Sequence, residues 1–363
     1  ERTVECSEFK LELRAMDKIL KQSLGFDVSQ EKFDVALFVC GEDLAPREVA
    51  SETFDNTKNG FKKLSQWYDK LIDKQLPIFA CMEATGVYHE HLCRHMYTDP
   101  RVKVSVVLPN KSRKFIDSLD WSSKTDKLDA KALSLMGLNR KLRLWVPPKE
   151  LYRKLRRLTR EREHLSIAHS AQINFLHAME TEFGSCEENL MRVKQLKELI
   201  HQQIKAIDKQ IENIVNSDDE LKQEVALLKT IPGVGQQTAV VVLAETNNFQ
   251  EVERSKQLVS YAGLDIRQKE SGKWKGKTKI SKKGNRHIRA VLYMPALTII
   301  RGNSRLAQYY KCQIEKGKHK MTAITAISRK LLVLMYGVWK TKTVYQDDFN
   351  LHLSQMASGN ARD

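Results

Sequence analysis

Hydrophobic positions change their period along the chain. From Leu24 they come in short runs, residues 24–28 and 33–40, divided by the polar stretch SQEK at 29–32, a pattern that predicts a β-hairpin. Residues 47–54 predict a third strand. In 58–74, Phe61, Leu64, Trp67, Tyr68 and Leu71 recur at helical spacing. The continuous apolar runs at 77–84 and 102–108 predict buried strands, with a helix over 87–96 between them. Residues 124–138 predict a helix with Leu128, Ala132, Leu133 and Leu135 on its apolar face. A strand meander followed by alternating helices and strands suits a ribonuclease-H-like α/β domain.

Pro147 and Pro148 punctuate the chain, and the pattern beyond them is helical. Leu151, Leu155, Leu158 and Leu165 share one face. Val193, Ile200, Ile207 and Ile214 then recur every seven residues, with Ile204 and Ile211 between them, which is the a/d seam of a coiled coil. Such a seam can pair within one chain as a hairpin or between chains, and a contribution to dimerisation is expected. Ile231-Pro-Gly-Val-Gly235 follows, and the chain stays mostly helical to Trp339 apart from a polar loop over 264–289. The tail after Val344 is polar and expected to fray.

Composition narrows the class. Hydrophobic residues make up 41% of the 363, too many for a disordered chain. The length predicts two or three domains, since one core rarely serves more than about 250–300 residues. No apolar run reaches the roughly 20 residues of a membrane span; the longest, 290–300, contains Pro295 and lies between Arg289 and Arg301. The opening ERTVECSEFK has charges where a signal peptide needs an apolar core. Met16 can serve as a start, and residues 1–15 are assigned no function. The six cysteines form no CxxC pair and read as free thiols of a reducing cytoplasm.

Charge points to polyanions. The net charge is +16. Residues 264–289 hold ten basic and two acidic residues, and 140–163 hold ten basic and three acidic, so these two segments carry +15 of it. The first comprises Arg267, Lys269, Lys273, Lys275, Lys277, Lys279, Lys282, Lys283, Arg286 and Arg289, with Trp274 placed to stack on a base or ribose. The second includes Arg153, Lys154, Arg156, Arg157 and Arg160. Both are candidate nucleic-acid surfaces, as is the IPGVG turn. There Gly233 and Gly235 permit close backbone approach, and the amides opening the next helix can hold a phosphate, as in a helix-hairpin-helix. An ordinary helix–helix turn has the same composition.

Four carboxylates are candidate metal ligands. Asp27 ends the first strand, Glu83 ends the buried strand CME, and Asp126 and Asp129 lie three apart on one helix face. Oxygen-only ligands suit Mg²⁺, which in phosphodiester chemistry assists both the attacking and the leaving oxygen. Taken singly, each acid also fits a turn cap or a solvated helix face. Asp34 lies in the second strand with its direction open. Ser271 (ESG) and Ser281 (ISKKG) sit among cations that would favour an attacking alkoxide, though either can be a plain loop hydroxyl. His89, His91, Cys93 and His95 have one zinc-like spacing and no second ligand pair, so they read as ordinary helix residues.

Together the motifs FDVSQEKFDVAL, MEATGVYHEHL, KTDKLDAKAL, IPGVGQQTA, YAGLDIRQKESG and ISKKGNRHIRAVLYMPA resemble, in order, those of the DEDD insertion-sequence transposases, insertion-sequence family one-ten. The resemblance covers residues 24–342. It implies a RuvC-like α/β domain, a helical coiled-coil linker and a mainly α-helical transposase domain with a helix-hairpin-helix-like turn. Mapped here, the divisions are a leader at 1–15, the RuvC-like domain at 16–146, the linker at 147–225, the transposase domain at 226–345 and a tail at 346–363. It also implies that Asp27, Glu83, Asp126 and Asp129 hold Mg²⁺ and that Ser271 is the nucleophile, with Ser281 as second choice. Its partners would be a structured non-coding guide (bridge) RNA and target and donor DNA. A homodimer, becoming a tetramer on DNA, would join the acids of one protomer to the serine of another. A cytoplasmic, nucleoid-associated protein of a bacterium or archaeon is expected. The activity implied is RNA-guided recombination through a phosphoserine intermediate. Rival readings are a junction-resolving endonuclease using water, an acid-only transposase, and a non-enzymatic nucleic-acid scaffold.

Overall fold

The structure, a computed structural model, describes residues 18–346 except 85, 124, 185, 251, 269, 272, 273 and 277; at 270, 271, 274 and 275 it describes the backbone alone. The chain divides into two compact units at Pro147/Pro148.

In the first unit, β1 (Ile19–Val28), β2 (Lys32–Gly41) and β3 (Pro46–Asp55) form an antiparallel meander. After α1 (Lys58–Asp69), strand β4 (Ile78–Glu83) joins the free edge of β1 in parallel; after α2 (His89–Tyr97), β5 (Val102–Val107) joins β4 likewise. The sheet order is β3-β2-β1-β4-β5. Alternation sends Leu24, Phe26 and Val28 to one face with Phe33, Val35 and Leu37, where they pack with Phe61 and Leu64 of α1 and Leu92 and Met96 of α2. The opposite face, with Ala36, Phe38 and Cys81, is covered by Ala130, Leu133, Leu135 and Met136. These belong to α4 (Asp126–Asn139), which follows the short α3 (Pro109–Asp117). Each such side chain contributes roughly 1.5–3 kcal/mol by leaving water.

Three boundaries differ from expectation. β1 begins at Ile19, not Leu24, because the polar residues Gln22 and Ser23 are buried and paired with β2. The Gln22 amide donates to the carbonyls of Asp73 and Leu76 at 2.8 and 3.0 Å. The first helix stops at Asp69, five residues early. Helix α3, opened by Pro109, has no apolar period to announce it.

The second unit has one apolar core running from Tyr152 to Val338. Helices α5 (Glu150–Thr181) and α6 (Glu187–Ser217) run antiparallel: Arg162 pairs with Asp208, Lys194 with Glu180 at 3.5 Å, and the rings of His169 and His201 stack with centroids 5.5 Å apart. Ile200, Ile204, Ile207 and Ile211 are buried on this hairpin. Leu155, Leu158, Ile207, Ile211 and Val215 continue into the same core as the later helices, so 147–225 does not pack as a separate body. There follow α7 (Asp219–Leu228), α8 (Gln236–Glu245), α9 (Ser255–Tyr261), α10 (Arg286–Val291), α11 (Tyr293–Arg301), α12 (Arg305–Glu315) and α13 (Lys320–Thr341). By length and composition α13 could cross a membrane, contrary to the expectation that no segment would. Here Ile327, Leu331, Leu332, Met335 and Val338 are buried in the core.

Between α9 and α10, where a loop was expected, the chain forms a ribbon. β6 (Ile266–Arg267) pairs with β9 (Lys279–Ile280), and β7 (Glu270–Ser271) pairs with β8 (Trp274–Lys275), both antiparallel.

Candidate active site

Three structural facts bring the acids of the first unit to one rim. Parallel pairing of β1 with β4 ends in register at Phe26 and Met82, so Asp27 and Glu83 are the next residues on neighbouring strands. Both alternate to the face that α4 covers. Third, α4 runs antiparallel to β1, since Gly25 lies against Ala130 and Ser134 whereas Ser23 lies against Gly137. The first turn of α4, with Asp126 and Asp129, therefore meets the end of β1 that carries Asp27.

Two glycines allow that approach. A Cβ on Gly25 would stand 2.1 Å from the Ala130 carbonyl oxygen, and one on Gly137 would stand 2.2 Å from the Ser23 hydroxyl. Ser134 donates to the Ser23 carbonyl at 2.7 Å between these points. Thr125 caps α4 by accepting from the Leu128 amide.

Burial, and next the negative charges of Asp126, Asp129, Glu83 and Asp34, push the Asp27 carboxyl up to about 6. The other three predicted acids thus all act on Asp27. Asp34, left open by the sequence, is a fifth: it faces Asp27 across the β1–β2 ladder and accepts a hydrogen bond from Thr53. The buried Ser112 of α3 donates to Glu83, a contact no sequence signal announces. The donor set is all oxygen and mutually repelling, which fits a hard divalent cation. Among the described residues no three His, Cys, Asp or Glu side chains lie together closely enough to hold a metal ion, so the acids share a rim and a field without forming a ligand set. His91 and Cys93 form no such group either; Cys93 is fully buried and His95 bonds Ser65 at 2.8 Å.

In the second unit, Ser271 lies in β7, opposite Trp274. The ribbon is tied at its base. Ser281 donates to Asp265, its amide bonds the Asp265 carbonyl at 2.8 Å, and the Lys282 amide bonds the Gly263 carbonyl at 3.0 Å. The Ser281 hydroxyl is thus a structural tie. Gly263 has φ +68°, and a Cβ on Gly284 would stand 2.3 Å from the Tyr261 carbonyl, so the two base segments meet closely only because both are glycine.

Beneath the base lies Glu245, 1% exposed. It accepts from Arg160 at 2.7 and 2.9 Å and from Asn285 at 2.6 Å. Burial alone would push its carboxyl up; the Arg160 and Asn285 hydrogen bonds with the Arg160 and Arg156 charges outweigh it and hold the group below the usual value. Asn285 also caps α10 by accepting from the amides of His287 and Ile288.

The predicted nucleic-acid residues divide in two. Arg160 is spent on Glu245, Arg156 donates to the Ala244 carbonyl at 3.1 Å, and Arg153 pairs with Glu150. Arg289 donates to the carbonyls of Ala262, Gly284 and Asn285, and burial lowers its guanidinium. Arg156, Arg160 and Arg289 hold the framework, whereas the Arg153–Glu150 pair is local to one turn of α5. Lys154, Arg157, Arg267, Lys279, Lys282, Lys283 and Arg286 are exposed. Lys269, Lys273 and Lys277 lie outside the described residues, and of Trp274 and Lys275 only the backbone is described. In the IPGVG turn, Gly233 has φ +81° and stands against Pro295; Gly235, with φ −85° and open space beside it, is not required to be glycine.

A DEDD family model described as "Transposase" matches residues 24–183, and one described as "Transposase IS116/IS110/IS902 family" matches 225–311. The pilin gene-inverting protein of Moraxella bovis is 30% identical over 320 residues, covering 88% of this chain and 95% of that protein. The chain belongs to the IS110 family of transposases. The pilin gene-inverting protein of Moraxella lacunata is 31% identical over 323 residues, with the same coverage. The transposase for insertion sequence element IS1328 of Yersinia enterocolitica is 25% identical over 299 residues, 74% of this chain and 86% of that protein. This IS110-family chain is therefore a DNA transposase, an enzyme of DNA recombination, with its acidic rim inside the region the DEDD model matches.

Proposed function

We propose that this transposase inserts and excises an insertion sequence by RNA-guided, Mg²⁺-dependent strand exchange through a phosphoserine intermediate. The observation that carries the reading is the convergence of Asp27, Glu83, Asp126 and Asp129 at one rim, in a family that recombines DNA. In this reading the first unit is a RuvC-like domain, α5–α6 is the coiled-coil segment, and the IPGVG turn is helix-hairpin-helix-like.

The four carboxylates would hold Mg²⁺ as oxygen ligands, with Asp27 deprotonated by the cation's charge. When bound, Mg²⁺ would supply charge stabilisation to the attacking and leaving oxygens of a phosphodiester. The Ser271 hydroxyl attacks the scissile phosphorus and gives up its proton. An Oγ–P bond forms, one P–O ester bond breaks, and the leaving strand oxygen takes a proton. A free strand hydroxyl then attacks the phosphoserine, restores the phosphodiester and releases Ser271. The number of ester bonds is unchanged, so no ATP is needed. The exposed cations of the ribbon and of α5 hold nucleic-acid backbones. Sequence choice comes from pairing between a guide RNA and DNA, in the manner of other RNA-guided effectors.

Sequencing of RNA that co-purifies with the full chain tests the guided part. One discrete structured RNA encoded beside the gene is expected. Heterogeneous cellular RNA, with no such species enriched, contradicts it.

A further inference from the structure

The two basic segments at 140–163 and 264–289 leave the other residues almost neutral in sum, yet not uniformly. Residues 301–330 carry eight Lys or Arg against one acid, Glu315. Their densest part is KGKHK, Lys316 to Lys320, which connects α12 to α13 and is exposed throughout. Among the described residues, Lys316 and Lys320 have no ion-pair partner, nor does Lys311 one turn back on α12. Lys318 is bound to the neutral Gln313.

Folding does not account for this arrangement. Three ammonium groups within five residues repel one another. They also crowd the start of a 22-residue helix, whose unpaired amides are already positive. α13 has no acid in its first turn to complement that field; α8 to α12 lack one as well, but none of them opens on a cluster of three lysines. An exposed, uncompensated cation cluster is stabilised when an anion array arrives, and evenly spaced phosphates on a duplex are such an array.

We propose that the α12–α13 turn is a third nucleic-acid surface, gripping the phosphate backbone of duplex DNA, the polymer a DNA transposase acts on, through Lys316, Lys318 and Lys320. It rests on the reading of the chain as a nucleic-acid recombinase, but it concerns binding alone. It reads no bases, since lysines on a phosphate backbone fix position and not sequence.

The test uses the full chain with two triple variants, Lys316→Glu/Lys318→Glu/Lys320→Glu and the charge-removing Lys316→Gln/Lys318→Gln/Lys320→Gln. The second serves if reversal unfolds α13. Two probes of arbitrary sequence, a duplex DNA and a double-stranded RNA hairpin, are titrated between about 50 and 200 mM KCl, a range over which backbone contacts are salt-sensitive. For the Gln variant the slope of log K against log salt should fall by about 2 to 3, at about 0.9 per lost phosphate contact. Affinity at low salt should drop at least about tenfold. Loss on the DNA probe supports the proposal; loss on the RNA probe alone overturns it and assigns the turn to an RNA duplex. Unchanged slopes on both probes with a folded variant overturn it, as does retention of an anionic lipid vesicle in place of either probe. Failure of strand cleavage in the unmodified chain would overturn the recombinase reading and leave these slopes intact.

Discussion

Asp27 is the most informative single residue. Its carboxyl is raised by burial and by four neighbouring acids, so the folded chain holds a proton that the unfolded chain has released. The sign follows: this contribution to stability is present below the ordinary Asp value and is lost as pH rises through about 6. Without divalent cations, Asp27→Asn should raise the melting temperature at pH 7.5. The gain is at most on the order of 3 kcal/mol, from about 1.4 kcal/mol per pKa unit, and should shrink towards zero as pH falls to 4. Mg²⁺ should stabilise the unsubstituted chain above pH 6 and leave Asp27→Asn nearly unmoved. Melting curves over that range, with and without Mg²⁺, check both signs; a destabilised Asp27→Asn chain at pH 7.5 would remove the repulsion argument.

At the scale of elements, the rim depends on how closely α4 lies on β1. Gly25→Ala would drive a Cβ into the Ala130 carbonyl, a backbone atom with little room to yield. Overpacking of this kind costs typically about 1–3 kcal/mol, and separating Asp126 and Asp129 from Asp27 should also lower Asp27 towards its usual value. Denaturant titration and carboxyl NMR shifts measure the two effects. Glu245 plays the matching part under the ribbon. Arg160→Ala leaves the buried Glu245 carboxylate without its main charge partner, and breaking a buried pair in this way typically costs about 3–5 kcal/mol. Because the Arg160 side chain is 46% exposed and can be hydrated when its partner is removed, whereas Glu245 is buried, Glu245→Ala should cost less than Arg160→Ala in the same melts. These elements were unequally legible. Apolar runs marked β2, β4 and β5, and the seven-residue repeat marked the α5–α6 seam, because each extends over several residues. The pattern was silent on Gly25 and Ser112, whose roles come from contacts distant in sequence, and on the ribbon, whose two-residue strands are shorter than any period. The four acids could be picked out because strand ends and one helix face are local facts. That Arg156, Arg160 and Arg289 serve the framework could not, since a cation in sequence looks the same whether its partner is a phosphate or a buried carbonyl.

For the whole molecule, the charge that first suggested a polyanion falls into three exposed segments and one internal set. The exposed cations of α5, the ribbon and the α12–α13 turn are free to meet backbones, whereas Arg156, Arg160 and Arg289 are consumed within the second unit. In the proposed reaction the acidic rim and Ser271 together carry out strand exchange through a covalent bond to the protein. The most direct measurement is mass-spectrometric mapping of protein–DNA adducts trapped during cleavage of labelled target DNA with Mg²⁺ present. The account predicts an adduct at Ser271 that disappears in both Ser271→Ala and Asp126→Asn. Normal strand cleavage by Ser271→Ala with no adduct anywhere would contradict it and leave water as the nucleophile.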